Sequence, residues 1–475
     1  MNKNSSKTFF WLFVISIAMA LVLPNLMRKG MFTDGLLYST VANNLAHGKG
    51  SLWHLYNSET LYKGFYEQPP LYFWIMAILY KIFGDSIFVE RIYDFFMLLA
   101  TIFLIHKNWK TIFSSDFSKY SFVPVLFWIT IPVCFWAYSN NMLEITVSFF
   151  VLLASLYLFK YYFEKNKYHY LFISGSFITM AWFTKGFVGL FPLSIPFFYY
   201  LFLDKFSLKK WIKDSFLLSF IPLFSIGLVF LFKDSRTGIT IYLTHRVFHS
   251  ISSVSNVDNR FYILWRLVLE LSPLIGFNLL LISFLYFKKR NIKLHFDKKF
   301  LFLFSIAFSA SFPLIITKEQ RGFYLVNSFP YYAMALGWLF IPIWKNIIET
   351  LSNKTFIKDY GLKIGTTFFI IVLLYSFSQI GHYNRDKGIL QDIKKFDPVL
   401  AKEKIISTDT SLWNRWNLHS YFMRFMHISL DRNLQHKYLL LEKGAVPKYK
   451  SYHKLNIKTS VFDLYKKELS NTYND

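Results

Sequence analysis

The chain has 475 residues, of which 54% are hydrophobic and 21% aromatic, including 56 Phe; soluble domains lie nearer roughly 45–50% apolar, so the excess implies a lipid-facing surface. The formal net charge of +25 would suggest nucleic acid in a soluble protein, but here the Lys and Arg sit in short runs between apolar stretches, as membrane topology requires. Nucleic acid is therefore excluded as a partner, and the single cysteine, Cys134, excludes an internal disulfide framework or a cysteine-based metal site.

A span takes about 20 apolar residues. The first candidate follows Lys3 and Lys7 and covers 9–27; no small-x-small cleavage site follows it, so it reads as an uncleaved first helix. Ten more candidates lie near 86–105, 120–138, 142–160, 168–184, 186–203, 215–232, 262–287, 300–317, 324–344 and 363–381, about eleven in all. Leu71–Phe83 is apolar but too short to span and reads as an interfacial helix. With the N-terminus in the cytoplasm, the inner loops Lys107–Lys119, Lys160–Lys167, Lys205–Lys213, Lys288–Lys299 and Lys345–Lys363 are all Lys-rich, as in Lys288-Lys289-Arg290. The expected architecture is a polytopic α-helical membrane domain over 1–381, with outer loops 28–85 and 233–261. A small extracytoplasmic α/β domain follows over 382–475, with candidate strands Lys404–Ser407, His427–Leu430 and Lys437–Leu441. The chain lacks the internal repeat that marks many transporters.

The unusual polar residues fall on the outer side. Asp34 lies just beyond the first span; it reads either as a general base toward an acceptor or as a helix N-cap. Glu67 precedes Pro69-Pro70, either as a working carboxylate or as a solvated one ahead of a rigid turn. Glu144 follows a tight turn at Ser139-Asn140-Asn141, where a carboxylate at the start of a span needs a partner or a task. Glu67 and Glu144 are a candidate pair for a divalent cation. Lys185 stands in Thr184-Lys185-Gly186, either snorkelling to the interface or binding a phosphate. Later outer loops add His245, Arg246, His249 and Arg260, then Lys318, Glu319 and Arg321. Cations gathered outside point to an anionic ligand; the histidines show no metal-ligand spacing and read as ordinary loop residues.

In this order the motifs are Asp34, Tyr38, Ala42 and Gly48; Glu67 with Pro69-Pro70-Leu71-Tyr72; Phe83-Gly84 and Arg91; Thr184-Lys185-Gly186 with Gly189, Leu190 and Pro192; Arg246; and Tyr324-Leu325 with Pro330. Together they resemble the GT-C glycosyltransferases of the protein mannosyltransferase type, and especially the bacterial branch that includes lipid A aminoarabinose transferase. The resemblance covers roughly 9–345. There are departures: Gly35 stands where a second acid is usual, Gln68 where the aminoarabinose transferases have Lys, Asn140-Asn141 where many relatives have Asp, and Asn327 where Pro is common. These weaken the assignment of aminoarabinose as the sugar.

The resemblance implies an inverting transfer of a sugar from polyprenyl phosphate to lipid A, another glycan or a protein. The donor phosphate would lie against Lys185, Arg246 and Arg321, with Asp34 and Glu67 catalytic. A divalent cation at Glu67 and Glu144 is the one cofactor it admits. The site would face the periplasm or exterior across the cytoplasmic membrane, with membrane lipids around it. That side suits a lipid-linked donor, since nucleotide sugars are cytoplasmic. A multi-span lipid or glycan transporter or flippase is the competing class.

Overall fold

The computed structural model describes residues 3–113, 115–164, 167–252, 255–288, 293–448 and 450–468. Lys289 and Arg290 of the Lys288-Lys289-Arg290 run lie outside the described residues. The chain divides into two compact units: Met1–Met27, Tyr66–Tyr72 and Arg91–Gln379 form the first, and Arg28–Phe65, Phe73–Glu90 and Ile380–Asp475 the second.

The first unit is helical and polytopic. Among the described residues, seven helical segments are long and apolar enough to cross a membrane: Lys7–Met27, Leu143–Phe163, His169–Gly189, Leu208–Leu231, Tyr262–Phe287, Lys298–Ile316 and Thr355–Ser378. Burial separates them. Leu143–Phe163 has 78% of its apolar window inside the protein, so it is a central helix; Leu208–Leu231 and Thr355–Ser378 have 22% and present most of their surface outward. Their exposed Phe216, Leu223, Leu231 and Leu374 are what a lipid-facing wall requires. Helix Leu143–Phe163 packs along its hairpin partner His169–Lys185, and Lys3–Met27 packs along Thr355–Ser378.

The remaining candidate spans take other forms, for reasons present in the chain. The 120–138 run breaks into Phe122–Ile129 and Pro132–Ala137, because Pro132 has no N–H to continue a helix but suits the start of one. The 186–203 run contains two 3-10 turns, Gly186–Gly189 and Phe191–Ser194, before Ile195–Phe202; Gly186 at φ 69° and Pro192 account for the break. The 86–105 run lies in helix Phe88–Ile112 from Phe88 onward, and the 324–344 run starts in the 3-10 turn Gly322–Leu325 and joins helix Phe329–Asn353 only from Phe329; each helix has 25 residues. The first of these carries Glu90, Arg91 and Asp94 in its opening turns. Leu71–Phe83 is a short apolar helix of 13 residues, as its length implied.

The second unit is a small α/β assembly. Strands β1 (Ile405–Thr408), β2 (Ser429–Asp431), β3 (Tyr438–Glu442), β4 (Tyr452–Lys454) and β5 (Phe462–Lys467) form one sheet in the order β2-β1-β3-β5-β4. The β2-β1-β3 part is parallel, and β3-β5-β4 is antiparallel. β3 is buried along nearly its whole length, which explains its continuous Tyr-Leu-Leu-Leu run rather than an alternating one. Helices Lys387–Leu400 and Trp416–Met426 bury Phe396, Leu400, Leu418 and Phe422 against Ile406, Leu440 and Leu464. Met31, from the loop after the first helix, and Leu36, from helix Thr33–Ala46, enter the same core. Helix Thr33–Ala46 packs on Trp416–Met426, and Thr60 Oγ1 donates to the Leu430 carbonyl of β2 at 2.5 Å.

Candidate active site

Glu144 owes its place to a braced turn. Asn141 adopts φ 53°, a conformation that Asn tolerates better than most side chains. Its N–H donates to Asp94 Oδ2 at 2.8 Å, its side-chain oxygen accepts from the Tyr72 hydroxyl at 2.7 Å, and Arg91 Nη1 donates to the Ser139 carbonyl at 2.9 Å. Three buried side chains thus fix the turn that starts helix Leu143–Phe163. Glu144 lies in the first turn of that helix, where the dipole favours a carboxylate, and its side chain is 0% exposed. Lys185 Nζ pairs with Glu144 Oε1, while Oε2 has no hydrogen-bond partner among the described residues. The charge of Lys185 also stands 4.8 Å from the Tyr324 ring centre and 5.7 Å from that of Phe323.

The Thr184-Lys185-Gly186 motif separates into distinct roles. Thr184 Oγ1 donates back to the Met180 carbonyl at 2.8 Å and closes the helix end. Gly186 is required twice over: its φ is positive, and a Cβ there would sit 2.1 Å from the Tyr242 hydroxyl. Lys185 is the member whose side chain reaches Glu144 and the cavity.

Arg246 is held by two carboxylates. Its Nη1 and Nη2 donate to the two oxygens of Glu319, both at 2.6 Å, and its Nε lies 3.3 Å from Glu67 Oε2. Burial disfavours the Arg246 charge, but the Glu319 pairing outweighs it and raises the guanidinium pKa above its usual value. For Glu67, burial is the main influence and lifts the carboxyl above the ordinary range; Arg246 opposes this and Glu319 adds to it. Arg246 sits in a π-helical stretch, Tyr242–Phe248, within the 233–261 segment. Such widened turns are frequent where a helix presents a functional group.

Glu319 is positioned by Gln320, which is buried. The Gln320 side chain donates to the carbonyls of Arg260 at 2.6 Å and Thr317 at 2.8 Å, and accepts from Ile263 N–H at 2.8 Å. Thr317 Oγ1 accepts from Glu319 N–H at 3.0 Å.

Glu67, Lys185, Arg246, Glu319 and Tyr324 line one cavity of about 600 Å³. Its other walls are chiefly apolar, with Phe187, Leu190, Phe191, Phe248, Leu314 and Ile316 among them. A few polar groups gathered on an apolar wall suit a ligand with a charged head and a hydrocarbon body. Arg321 is exposed and is not among the lining residues. Arg260 is exposed and bonds the Ile316 carbonyl, and His245 and His249 are exposed as well. Asp34 belongs to the second unit, in the first turn of helix Thr33–Ala46. The cap position of that helix is taken by Phe32, so Asp34 is not its N-cap. Sequence reasoning named Glu319 only as a member of the cationic Lys318–Arg321 segment, without its pairing to Arg246, and passed over Tyr242.

Residues 67–232 match the dolichyl-phosphate-mannose-protein mannosyltransferase family, a stretch that contains Glu67, Glu144 and Lys185. No curated protein matches the chain in sequence. Among solved structures, ArnT from Cupriavidus metallidurans bound to undecaprenyl phosphate aligns with a TM-score of 0.61 at 12% identity, covering 96% of this chain and 98% of ArnT. The apo form of ArnT aligns at 0.62 and 13%, covering 96% and 97%. The archaeal oligosaccharyltransferase AglB from Archaeoglobus fulgidus, in complex with an inhibitory peptide and a dolichol-phosphate, aligns at 0.50 and 11%, covering 91% of this chain and 69% of AglB. The chain therefore has the GT-C fold.

Proposed function

We propose that the protein transfers a sugar from a polyprenyl-phosphate donor to an envelope acceptor on the outer face of the cytoplasmic membrane. The observation that carries this reading is the pairing of Lys185 and Arg246 at one apolar cavity. A phosphate held there meets two cationic donors, and the apolar wall suits a polyprenyl chain. The fold neighbours agree in chemistry, since the ArnT structure holds undecaprenyl phosphate and the AglB structure a dolichol-phosphate. Arg321 remains a proposed third contact on the strength of its place in the cationic Lys318–Arg321 segment alone.

In this reading the acceptor oxygen or nitrogen attacks the anomeric carbon from the face opposite the phosphate. A new bond to that carbon forms as its bond to the phosphate oxygen breaks. The electron pair stays on polyprenyl phosphate, where Lys185 and Arg246 stabilise the charge. The acceptor proton goes to a carboxylate, a role assigned to Asp34 from its place in the motif. Glu67 holds Arg246 until the phosphate arrives.

A divalent cation at Glu67 and Glu144 is a second reading, favoured by the unpartnered Oε2 of Glu144. Against it, Lys185 already neutralises Glu144 and Arg246 already faces Glu67, so no step is assigned to a metal. Full activity in chelator together with wild-type turnover in Glu67→Gln would remove this reading.

Purified protein in detergent, given radiolabelled polyprenyl-phosphate sugars and envelope extract, should release polyprenyl phosphate and label an acceptor. Arg246→Ala removes a charge-assisted contact of about 1.5–3 kcal/mol, so donor affinity should fall roughly 10- to 100-fold. Asp34→Asn should bind donor normally and fail to transfer. Lipid translocation in vesicles without any transfer would favour a flippase instead.

A further inference from the structure

We propose that His47, Asp85 and His427 form a divalent transition-metal site of the zinc type in the second unit. These three offer one ligand atom each, and the three atoms lie within 4.8 Å of one another. They come from the end of helix Thr33–Ala46, from the linker before helix Phe88–Ile112, and from the residue that follows helix Trp416–Met426. No part of the donor cavity is involved, since Glu67, Lys185 and Arg246 belong to the first unit.

The hydrogen bonding determines what each ligand atom presents. His47 Nδ1 lies 2.9 Å from the Asn43 carbonyl oxygen, which only accepts, so Nδ1 carries the proton. The lone pair is then on Nε2, which lies 3.1 Å from Asp85 Oδ2. An imidazole lone pair facing a carboxylate is unfavourable unless a proton or a cation sits between them. A second imidazole stands beside the pair: His427 has its ring centre 5.1 Å from that of His47. Its Nδ1 is buried without a hydrogen-bond partner among the described residues. A protonated His47 would satisfy the His47–Asp85 pair but leave this His427 nitrogen without a partner.

The surroundings have the form of a metal site's outer shell. Asn43 orients two ligands at once, with its carbonyl on His47 Nδ1 and its side-chain amide donating to Asp85 Oδ1 at 2.8 Å. Arg424 fixes the Asp85 backbone, donating to its carbonyl at 3.0 Å. His427 is held at φ 55°, in the left-handed region that a non-glycine residue occupies at a cost. Side-chain exposures of 40% for His47 and 49% for Asp85 leave an entry path and a fourth position for water. Neighbouring ligands on a tetrahedral zinc stand about 3.3 Å apart, given bonds of about 2.0–2.1 Å, and the His47–Asp85 separation already meets that edge. Two nitrogens and one oxygen suit zinc, and also cobalt or nickel; calcium and magnesium prefer all-oxygen sets. A bound ion would tie together three segments far apart in sequence.

The test uses full-length protein in detergent, stripped with chelator and titrated with CoCl2 or ZnCl2. The expected result is one Co2+ per chain, with the visible absorption of low-coordinate cobalt, displaced by zinc, and a rise in melting temperature on adding zinc. Asp85→Asn and His427→Gln should each weaken uptake at least tenfold, Asn43→Ala by about 10- to 100-fold, and Glu67→Gln not at all. Absence of stoichiometric uptake by the wild type, which is the outcome for a protonated His47–Asp85 pair, would overturn the proposal without any variant having to fold. Wild-type uptake by His427→Gln would overturn it as well.

Discussion

Arg246 has more partners than it can keep. Glu319 takes both terminal nitrogens, and Glu67 takes Nε at 3.3 Å, the longest of the three contacts. An incoming phosphate would displace Glu67 first, because that is the contact with least to lose. Burial raises the Glu67 carboxyl above its ordinary value of 4.5. As pH falls through that raised pKa, Glu67 takes up a proton and releases Arg246. Affinity for undecaprenyl phosphate should therefore rise in the wild type as pH falls from neutrality toward the ordinary carboxylate range. Glu67→Gln fixes the neutral state, so it should bind several-fold more tightly at pH 7 and lack this slope. Ionisation of the phosphate itself affects both proteins equally, so the comparison isolates Glu67. Stability has the same sign. A carboxyl whose pKa is higher in the folded chain contributes stability below its ordinary value and loses it as pH rises through the folded value. Glu67→Gln should then melt no lower than the wild type at pH 7. Parallel pH slopes for the two proteins in a binding titration would refute the displacement.

The second unit turns on an ion pair buried where helix Phe88–Ile112 begins. Arg424, on helix Trp416–Met426, donates to Glu90 Oε2 at 3.2 Å, and the two side chains are 2% and 1% exposed. Tyr80 of helix Leu71–Phe83 donates to the same oxygen at 2.7 Å. Removing one partner leaves a charge in an apolar setting, and such losses run to about 3–5 kcal/mol, while replacing both by apolar groups is far milder. Arg424→Met should therefore lower the melting temperature sharply, and Arg424→Met with Glu90→Leu should recover most of the loss. Equal destabilisation in the single and double variants would mean that the pair does not act as a unit. The sequence reached this unit only in part. β1, β2 and β3 lay within a residue or two of the strands expected from their apolar runs. β4 was missed because Tyr452-His453-Lys454 is short and mostly exposed, and β5 because Phe462-Asp463-Leu464 does not read as a buried strand. Asp463 is tolerated inside because Lys454 Nζ and the Gly444 N–H both bond its Oδ2, at 2.6 and 2.8 Å. Partners of that kind are set by tertiary pairing and leave no local pattern. The Pro132 break in the 120–138 run was visible in the sequence, by contrast, and hydrophobicity alone overrode it.

At the scale of the molecule, the charge pattern carried more than the hydropathy did. Counting apolar residues gave many spans and no site, whereas the alternation of Lys-rich loops put Glu67, Glu144, Lys185 and Arg246 on one side. The structure joins Glu144 to Lys185 and Glu67 to Arg246, and gathers Glu67, Lys185 and Arg246 at one cavity. Glu319 was not legible, since its direction is set by the bonds of Gln320 and not by any periodicity. The sidedness itself can be measured across one helix. Leu208–Leu231 has 24 residues, a length of about 36 Å at 1.5 Å per residue, enough to cross the hydrocarbon core once. Lys209, at its start, belongs to the Lys-rich loop; Asp258 lies beyond its other end, past the short helices that carry Arg246. Both are exposed, and the native Cys134 is buried, so a single introduced cysteine reports its own position. A membrane-impermeant maleimide applied to intact cells should modify Asp258→Cys and leave Lys209→Cys untouched until the membrane is permeabilised. The reverse pattern would put the Arg246 loop in the cytoplasm, where a lipid-linked donor presented from outside has no access to it, and the proposed reaction would fall with it.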